Sequence, residues 1–119
     1  MTTEDYVSFE TAKLLKEKGF DWEVHRSYLV NDNCFAPSDV NDLPNRKDAI
    51  RIPTLQMVMK WLREVHGLHV DINPLEGNWC TKIVELEDLC EVDRGIALYS
   101  TYEEAAEAGI RYCLEMLVK

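Results

Sequence analysis

The stretch that decides the fold is the C-terminal segment TYEEAAEAGIRYCLEMLVK, residues 101–119. It opens with a capping box, in which Thr101 caps the first turn of a helix and Glu104 reaches back to the backbone of Thr101. Apolar and small side chains then recur at helical spacing, at Tyr102, Ala106, Gly109, Ile110, Cys113 and Leu117. Because such a stripe must be buried against another element, the sequence predicts a folded domain that contains this helix.

Two earlier segments predict helices of the same kind. In residues 8–19, Ser8 is suited to cap the first turn, and Gly19 is suited to end the helix in a left-handed conformation. In the second helix, Thr54 is the predicted N-cap and Gly67 the predicted stop. The predicted core stripe of this second helix consists of Leu55, Val58, Met59, Leu62 and Val65.

Met57 and Trp61 lie on a different flank of the second helix, which makes its apolar arc wider than one contact surface needs. Wide arcs are common in small cores, so the favoured interpretation is a helix that packs against two neighbours. The alternative is an exposed interaction patch formed by Met57 and Trp61. Such a patch would bind another protein or a second copy of the chain as a homodimer.

Outside the helices the hydrophobic pattern alternates, as in strands with one buried face. The first run lies in residues 22–30, where Arg26 is the one misfit on the apolar side. The second run lies in residues 68–73, and residues 79–86 return after a short turn-rich loop, which predicts an antiparallel hairpin. Residues 96–99 predict a further short strand.

The order of elements predicts one α+β domain over residues 1–119. We expect a two-layer sandwich in which three helices pack on one face of a mainly antiparallel sheet of about three to five strands. Residues 31–51 are rich in turn-forming side chains and predict a long polar loop or insertion. Short extended pieces at its two ends, near Cys34 and Ala49, are suited to join the sheet edge.

The charge balance disfavours binding to nucleic acid phosphates. The chain carries 22 acidic and 13 basic residues, a formal net charge of −9, and it contains no basic run. Affinity for nucleic acid backbones and for anionic membranes comes from clustered Lys and Arg, so neither partner is expected. The ordinary interpretation of the acidity is solubility; the alternative is an inhibitor whose acidic surface imitates a nucleic acid.

Cysteine usage and the absence of targeting signals predict a cytoplasmic protein. The four cysteines have no Cys-x-x-Cys spacing, and they occupy positions 34, 80, 90 and 113. The acidic first residues lack the apolar run of a secretory signal. No stretch approaches the roughly 20 apolar residues that a membrane span requires. We therefore expect reduced thiols and no membrane association.

The polar face of the predicted sheet is the best place for a catalytic site. If the alternation is right, His25 and Ser27 share this face with His69 and Asp71. A His–Asp pair can orient an imidazole for acid–base chemistry, which makes His25, His69 and Asp71 the candidate catalytic residues. The ordinary interpretation is that they are solvated residues of an open sheet face.

No metal or cofactor site is predicted. His66 and His69 are three residues apart, but Gly67 between them should end the helix and make the two side chains diverge. The more ordinary role of His66 is that of a cation at a helix C-terminus. Glycine-rich phosphate loops and the Gly-x-Ser-x-Gly and His-Glu-x-x-His motifs are absent from the sequence.

Three segments carry a resemblance: YVSFETAKLLKEKGF (6–20), PTLQMVMKWLREVH (53–66) and TYEEAAEAGI (101–110). They resemble a group of small uncharacterised proteins of anaerobic gut bacteria, often encoded in phage-like or mobile regions. The group has no assigned activity, so the resemblance implies no catalytic residues. It implies a small cytoplasmic accessory protein of phage or mobile-element type.

A well-specified scaffold without a catalytic motif favours a non-enzymatic accessory or protein-binding module. The first alternative is an enzyme with an unmarked site around His25, His69 and Asp71. The second alternative is the acidic nucleic-acid mimic or inhibitor.

Overall fold

The computed structural model of this chain describes residues 5–22, 24, 26–37, 49–92 and 97–118. Within these ranges the helices are α1 (Phe9–Glu17), α2 (Leu55–His66) and α3 (Tyr102–Tyr112), the last continuing as a short π-helix (Cys113–Leu117). The strands are β1 (Arg26–Leu29), β2 (Cys34–Pro37), β3 (Ala49–Arg51), β4 (Leu68–Leu75), β5 (Asn78–Glu85) and β6 (Cys90–Glu91). None of the helices in these ranges has the length and apolar character needed to cross a membrane. The predicted α+β class is confirmed.

Each helix begins at its predicted cap. The side-chain oxygens of Ser8, Thr54 and Thr101 accept hydrogen bonds of 3.1–3.2 Å from the backbone N–H three residues on. Helix α2 ends at Gly67, whose φ of 64° is left-handed and thus favours glycine. The helix boundaries therefore follow from local capping chemistry.

The strands form two antiparallel sheets of three strands where the sequence predicted one sheet. The first sheet has the order β2-β1-β3, and the second has the order β4-β5-β6. The two ends of the predicted 31–51 loop are strands that pair with β1, as their extended character indicated. The predicted hairpin is present, with Glu76 and Gly77 both at positive φ in its two-residue turn. Residues 38–48 lie outside the described part of the chain.

Trp61 belongs to the core, which corrects the prediction of an exposed Met57/Trp61 patch. Its side chain is only 2% exposed, and its ring meets that of Phe20 at 5.3 Å in an edge-to-face contact. Met57 is partly buried against the same core. Helix α2 therefore packs against two neighbours, as the favoured interpretation expected. Val65 departs from the predicted stripe, because it lies in the last turn of α2 and is exposed.

Helix α3 lies close against the second sheet and is also tied to α1. The Thr81 hydroxyl of β5 donates a buried 2.7 Å hydrogen bond to the carbonyl oxygen of Ala105. On another side of α3, Glu107 Oε1 accepts hydrogen bonds from the backbone N–H of Ser8, at 2.9 Å, and from the Thr11 hydroxyl, at 2.7 Å. The carboxylate thus stabilises the positive end of the α1 dipole. Helix α3 also lies against β4, and α2 packs against β4 and α3.

Candidate functional site

The two described residues of the predicted His/Asp site, His69 and Asp71, lie on an open face of the second sheet. His69, Asp71 and Asn73 of β4 are half-buried and alternate with the buried Leu68 and Val70. The Asn73 amide donates to Asp71 Oδ2 at 3.0 Å, and within the described residues no hydrogen bond joins His69 to Asp71. The register places Lys82 of β5 opposite Asp71. These contacts do not orient the His69 imidazole for proton transfer.

The other two members of the predicted site do not join this face in the described structure. His25 lies outside the described residues, so its placement remains a prediction. Ser27 belongs to β1, in the first sheet, and its side chain is buried. The prediction that Ser27 shares a face with His69 is wrong, because β1 pairs with β2 and β3 and not with the β4–β5 hairpin.

A pocket of about 250 Å³ lies at the C-terminal end of α2. It is lined by His66, Gly67, Leu68, Glu85, Glu87, Asp88 and Leu117. Three carboxylates beside a helix C-terminus make this recess electronegative. Among the described residues, no group of three or more His, Cys, Asp or Glu side chains is placed to hold a metal ion. Of the predicted catalytic residues that the structure describes, neither His69 nor Asp71 lines this pocket.

His66 is half-buried at the edge of this pocket, at the end of α2. Its ring packs edge-to-face against Trp61, with centroids 4.6 Å apart. Its Nε2 atom is buried without a hydrogen-bond partner among the described residues. Burial lowers the pKa of His66 below its ordinary value of 6.5, because desolvation penalises the imidazolium. His66 lies in the last turn of α2, as predicted, and the lowered pKa disfavours its cationic form there.

We expect His66 to make the fold less stable as the pH falls. Its pKa is lower in the folded state than in the unfolded state, so the unfolded state binds more protons below the ordinary pKa of 6.5. This contribution to stability is fully present above the ordinary pKa of 6.5 and declines as the pH falls below it. The measurement is the urea midpoint of the wild type and of His66→Gln at several pH values. The wild type should lose more stability than the variant; equal slopes would contradict the burial of a neutral imidazole.

A cluster of aromatic side chains around an arginine lies on the first sheet, and we name Tyr6, Arg26, Tyr28 and Phe35 the aromatic–arginine patch. The Arg26 guanidinium carbon lies 4.2 Å from the centroid of the Tyr6 ring and 5.4 Å from that of Phe35. The Tyr28 and Phe35 rings meet edge-to-face at 5.1 Å. Phe35 is 57% exposed and Arg26 is exposed, so the patch is open to solvent at its rim.

Three separate segments of the chain build this patch. Strand β1 places Arg26 and Tyr28 on one face, because side chains two residues apart point the same way. The register of β2 sets Phe35 directly opposite Tyr28. Tyr6 is positioned by an isolated antiparallel β-bridge to Thr54, next to the hydrogen bond from Val7 N–H to the Pro53 carbonyl. The patch is therefore fixed by backbone pairing.

The patch carries positive charge in an otherwise acidic chain. Within the described part of the chain, no carboxylate lies within ion-pair distance of the Arg26 guanidinium. Phe9 of α1 packs against Tyr28 at 4.8 Å, and the Lys13 ammonium lies 5.5 Å from the centroid of the Phe9 ring. Two cations are thus presented on aromatic rings, an arrangement that can bind an anionic group beside an apolar one.

The sequence contained one signal for this patch that the prediction did not use. Arg26 is the misfit on the predicted apolar side of the run, and in β1 that side is the more exposed one, because Ser27 and Leu29 are buried. The rings that contact it, Tyr6 and Phe35, are distant in sequence, so no local pattern could bring them together.

A second group of exposed apolar side chains includes two residues that directly precede pocket-lining residues in the sequence. Val65 and Met116 precede the pocket residues His66 and Leu117, and they are 54% and 65% exposed. Leu89, in the loop between β5 and β6, is 79% exposed. None of these three side chains belongs to the first sheet, so they offer matched controls for substitutions in the aromatic–arginine patch.

The comparisons with known proteins leave the function to be inferred from this geometry. Among protein-family models, curated proteins and solved structures, none matches this chain.

Proposed function

We propose that this protein is a small non-enzymatic accessory module that binds another protein through the aromatic–arginine patch. The observation that carries the proposal is the exposed Phe35 ring beside Arg26, supported from beneath by Tyr28. Tyr, Phe and Arg are enriched at the energetically important centres of protein interfaces. The rings also lose little conformational entropy on binding, because their neighbours already hold them. The cytoplasmic location and the phage or mobile-element context belong to this proposal.

The arrangement of the predicted catalytic residues favours binding over catalysis. A general base must lie within hydrogen-bond reach of the proton that it removes, usually in a recess that holds the substrate. His69 and Asp71 lie on an open sheet face, and the Asp71 carboxylate is engaged by Asn73. The pocket at the end of α2 lies elsewhere and is lined by neither residue.

Phe35→Ser should abolish capture of the partner. The wild type and two variants, Phe35→Ser and Leu89→Ser, are used as bait in extract of the host cell, and the captured proteins are quantified by mass spectrometry. Both substitutions remove an exposed apolar side chain, so both variants should stay folded. We expect one protein whose recovery falls by about tenfold or more with Phe35→Ser, because truncation of a side chain at an interface hot spot costs about 2 kcal/mol or more.

The Leu89→Ser bait is the matched control for non-specific binding through exposed apolar side chains. Leu89 is the more exposed of the two side chains and lies in the loop of the second sheet. A partner recovered by the wild type and by Leu89→Ser, but not by Phe35→Ser, supports the proposal. Recovery that is the same for all three baits, or that fails for the wild type, argues against it. Thermal denaturation of each bait checks that the fold is retained.

A further inference from the structure

We infer that the partner is an acidic protein segment, which presents a carboxylate to Arg26 and an adjacent apolar side chain to Phe35. This inference rests on the proposed function, because it names the chemistry of the partner that the aromatic–arginine patch binds. The features that carry it are the position of the guanidinium, the lack of a carboxylate beside it among the described residues, and the net charge of the chain.

In the described part of the chain, the guanidinium of Arg26 contacts two aromatic rings and no carboxylate. Its carbon lies 4.2 Å from the Tyr6 centroid and 5.4 Å from the Phe35 centroid. Ring contacts use the faces of the planar group and leave its N–H donors for other partners. The described residues place no carboxylate within ion-pair distance, and the exposed guanidinium beside these two rings can receive one from a partner.

The second cation widens the region that attracts an acidic segment. The Lys13 ammonium lies over Phe9, and Phe9 packs against Tyr28 of the patch. An anionic partner is repelled by most of a chain with a net charge of −9 and is attracted where these cations lie. Because the repulsion disfavours other orientations, the charge pattern adds specificity to the contact.

A protein segment fits this pattern better than a nucleic acid does. Nucleic acid binding gains its affinity from many phosphate contacts with clustered Lys and Arg. The patch offers Arg26 and Lys13, while the whole chain has nine more negative than positive charges. An acidic segment needs only one or two anions, and its apolar side chain can cover the Phe35 ring, which is 57% exposed.

Selection from a displayed library of random short peptides on the full chain tests this inference. We expect the selected peptides to place Asp or Glu beside an aromatic or large aliphatic residue. Replacing these acids by Asn or Gln should weaken binding to the wild type by about tenfold. With Arg26→Gln the acidic and amide peptides should bind alike, because the variant removes the group that distinguishes them. Arg26→Lys keeps the positive charge but lacks the planar guanidinium, so its ratio of affinities for the acidic and the amide peptides should be intermediate.

Arg63→Gln is the matched control, because Arg63 is an exposed arginine on α2. This variant should keep the full preference for the acidic peptides. Two outcomes overturn the inference and leave the proposed function intact. In the first, the selected peptides depend on Phe35 but contain no acidic residue. In the second, Arg26→Gln prefers the acidic peptides over the amide peptides as strongly as the wild type does. Peptides unaffected by both Phe35→Ser and Arg26→Gln, or a library that yields no binder, overturn both. Arg26-dependent retention of a single-stranded oligonucleotide would instead assign the patch to nucleic acid and overturn the acidic segment.

Discussion

Trp61→Ala should lower the free energy of unfolding by about 3–5 kcal/mol, the range measured for large aromatic residues truncated in cores. Trp61 is 2% exposed and is the largest of the fully buried side chains. Its removal takes away the edge-to-face contacts with Phe20 and His66, at 5.3 and 4.6 Å, and leaves a cavity between elements that cannot fully collapse. Because small domains are stable by only about 5–15 kcal/mol, we expect a marginally folded protein. Urea denaturation followed by far-ultraviolet circular dichroism measures the loss.

Met57→Ala provides the matched comparison on the same flank of α2. Met57 is only partly buried, so its truncation should cost clearly less than that of Trp61. Trp61→Phe keeps a ring against Phe20 and should fall between the wild type and Trp61→Ala. A loss for Trp61→Ala as small as that for Met57→Ala would restore the interpretation of an exposed Met57/Trp61 patch.

Helix ends were predictable from sequence because their chemistry is local. Ser8, Thr54 and Thr101 each cap a helix through the backbone N–H three residues on, and this contact needs no other part of the chain. Gly67 ends α2 for an equally local reason, since its left-handed φ is unfavourable for other residues.

The division into two sheets was not predictable in the same way. Alternating side chains show that a segment can be a strand, but they do not say which strand pairs with it. Strand β1 pairs with β2 and with β3, and β3 follows only after the whole of residues 38–48. Only the β4–β5 pairing was clear, because its short turn leaves antiparallel pairing as the simple solution.

The exposure of a helical flank also depends on distant residues. Helical spacing put Met57 and Trp61 on a different flank from the predicted stripe of α2, but Trp61 is buried in the same core as that stripe. Whether that flank is covered depends on Phe20, which follows α1 in the chain and packs against Trp61. The aromatic–arginine patch was missed for the same reason, because Tyr6 and Phe35 reach Arg26 only through tertiary pairing.

Gly109→Ala should destabilise the protein by about 2 kcal/mol, although the same change in an exposed helix interior stabilises by about 1 kcal/mol. A Cβ at this position would lie 2.5 Å from Thr81 Cγ2 and 2.8 Å from Val70 Cγ1. Both contacts are side chains of buried, β-branched residues in the second sheet, which are stiff at χ1 and have no space to turn into. Helix α3 must therefore move away from the sheet. Thermal and urea denaturation measure the loss.

A second substitution distinguishes this clash from a general loss of helix stability. Thr81→Ser removes the Cγ2 atom and keeps the hydroxyl that donates to the Ala105 carbonyl at 2.7 Å. Gly109→Ala should thus cost less in the Thr81→Ser background, by a coupling energy of about 1 kcal/mol. Thr81→Val keeps the branched shape and loses the hydroxyl, so it should give no relief. If the cost of Gly109→Ala were equal in all three backgrounds, the close approach of α3 to β5 would be contradicted.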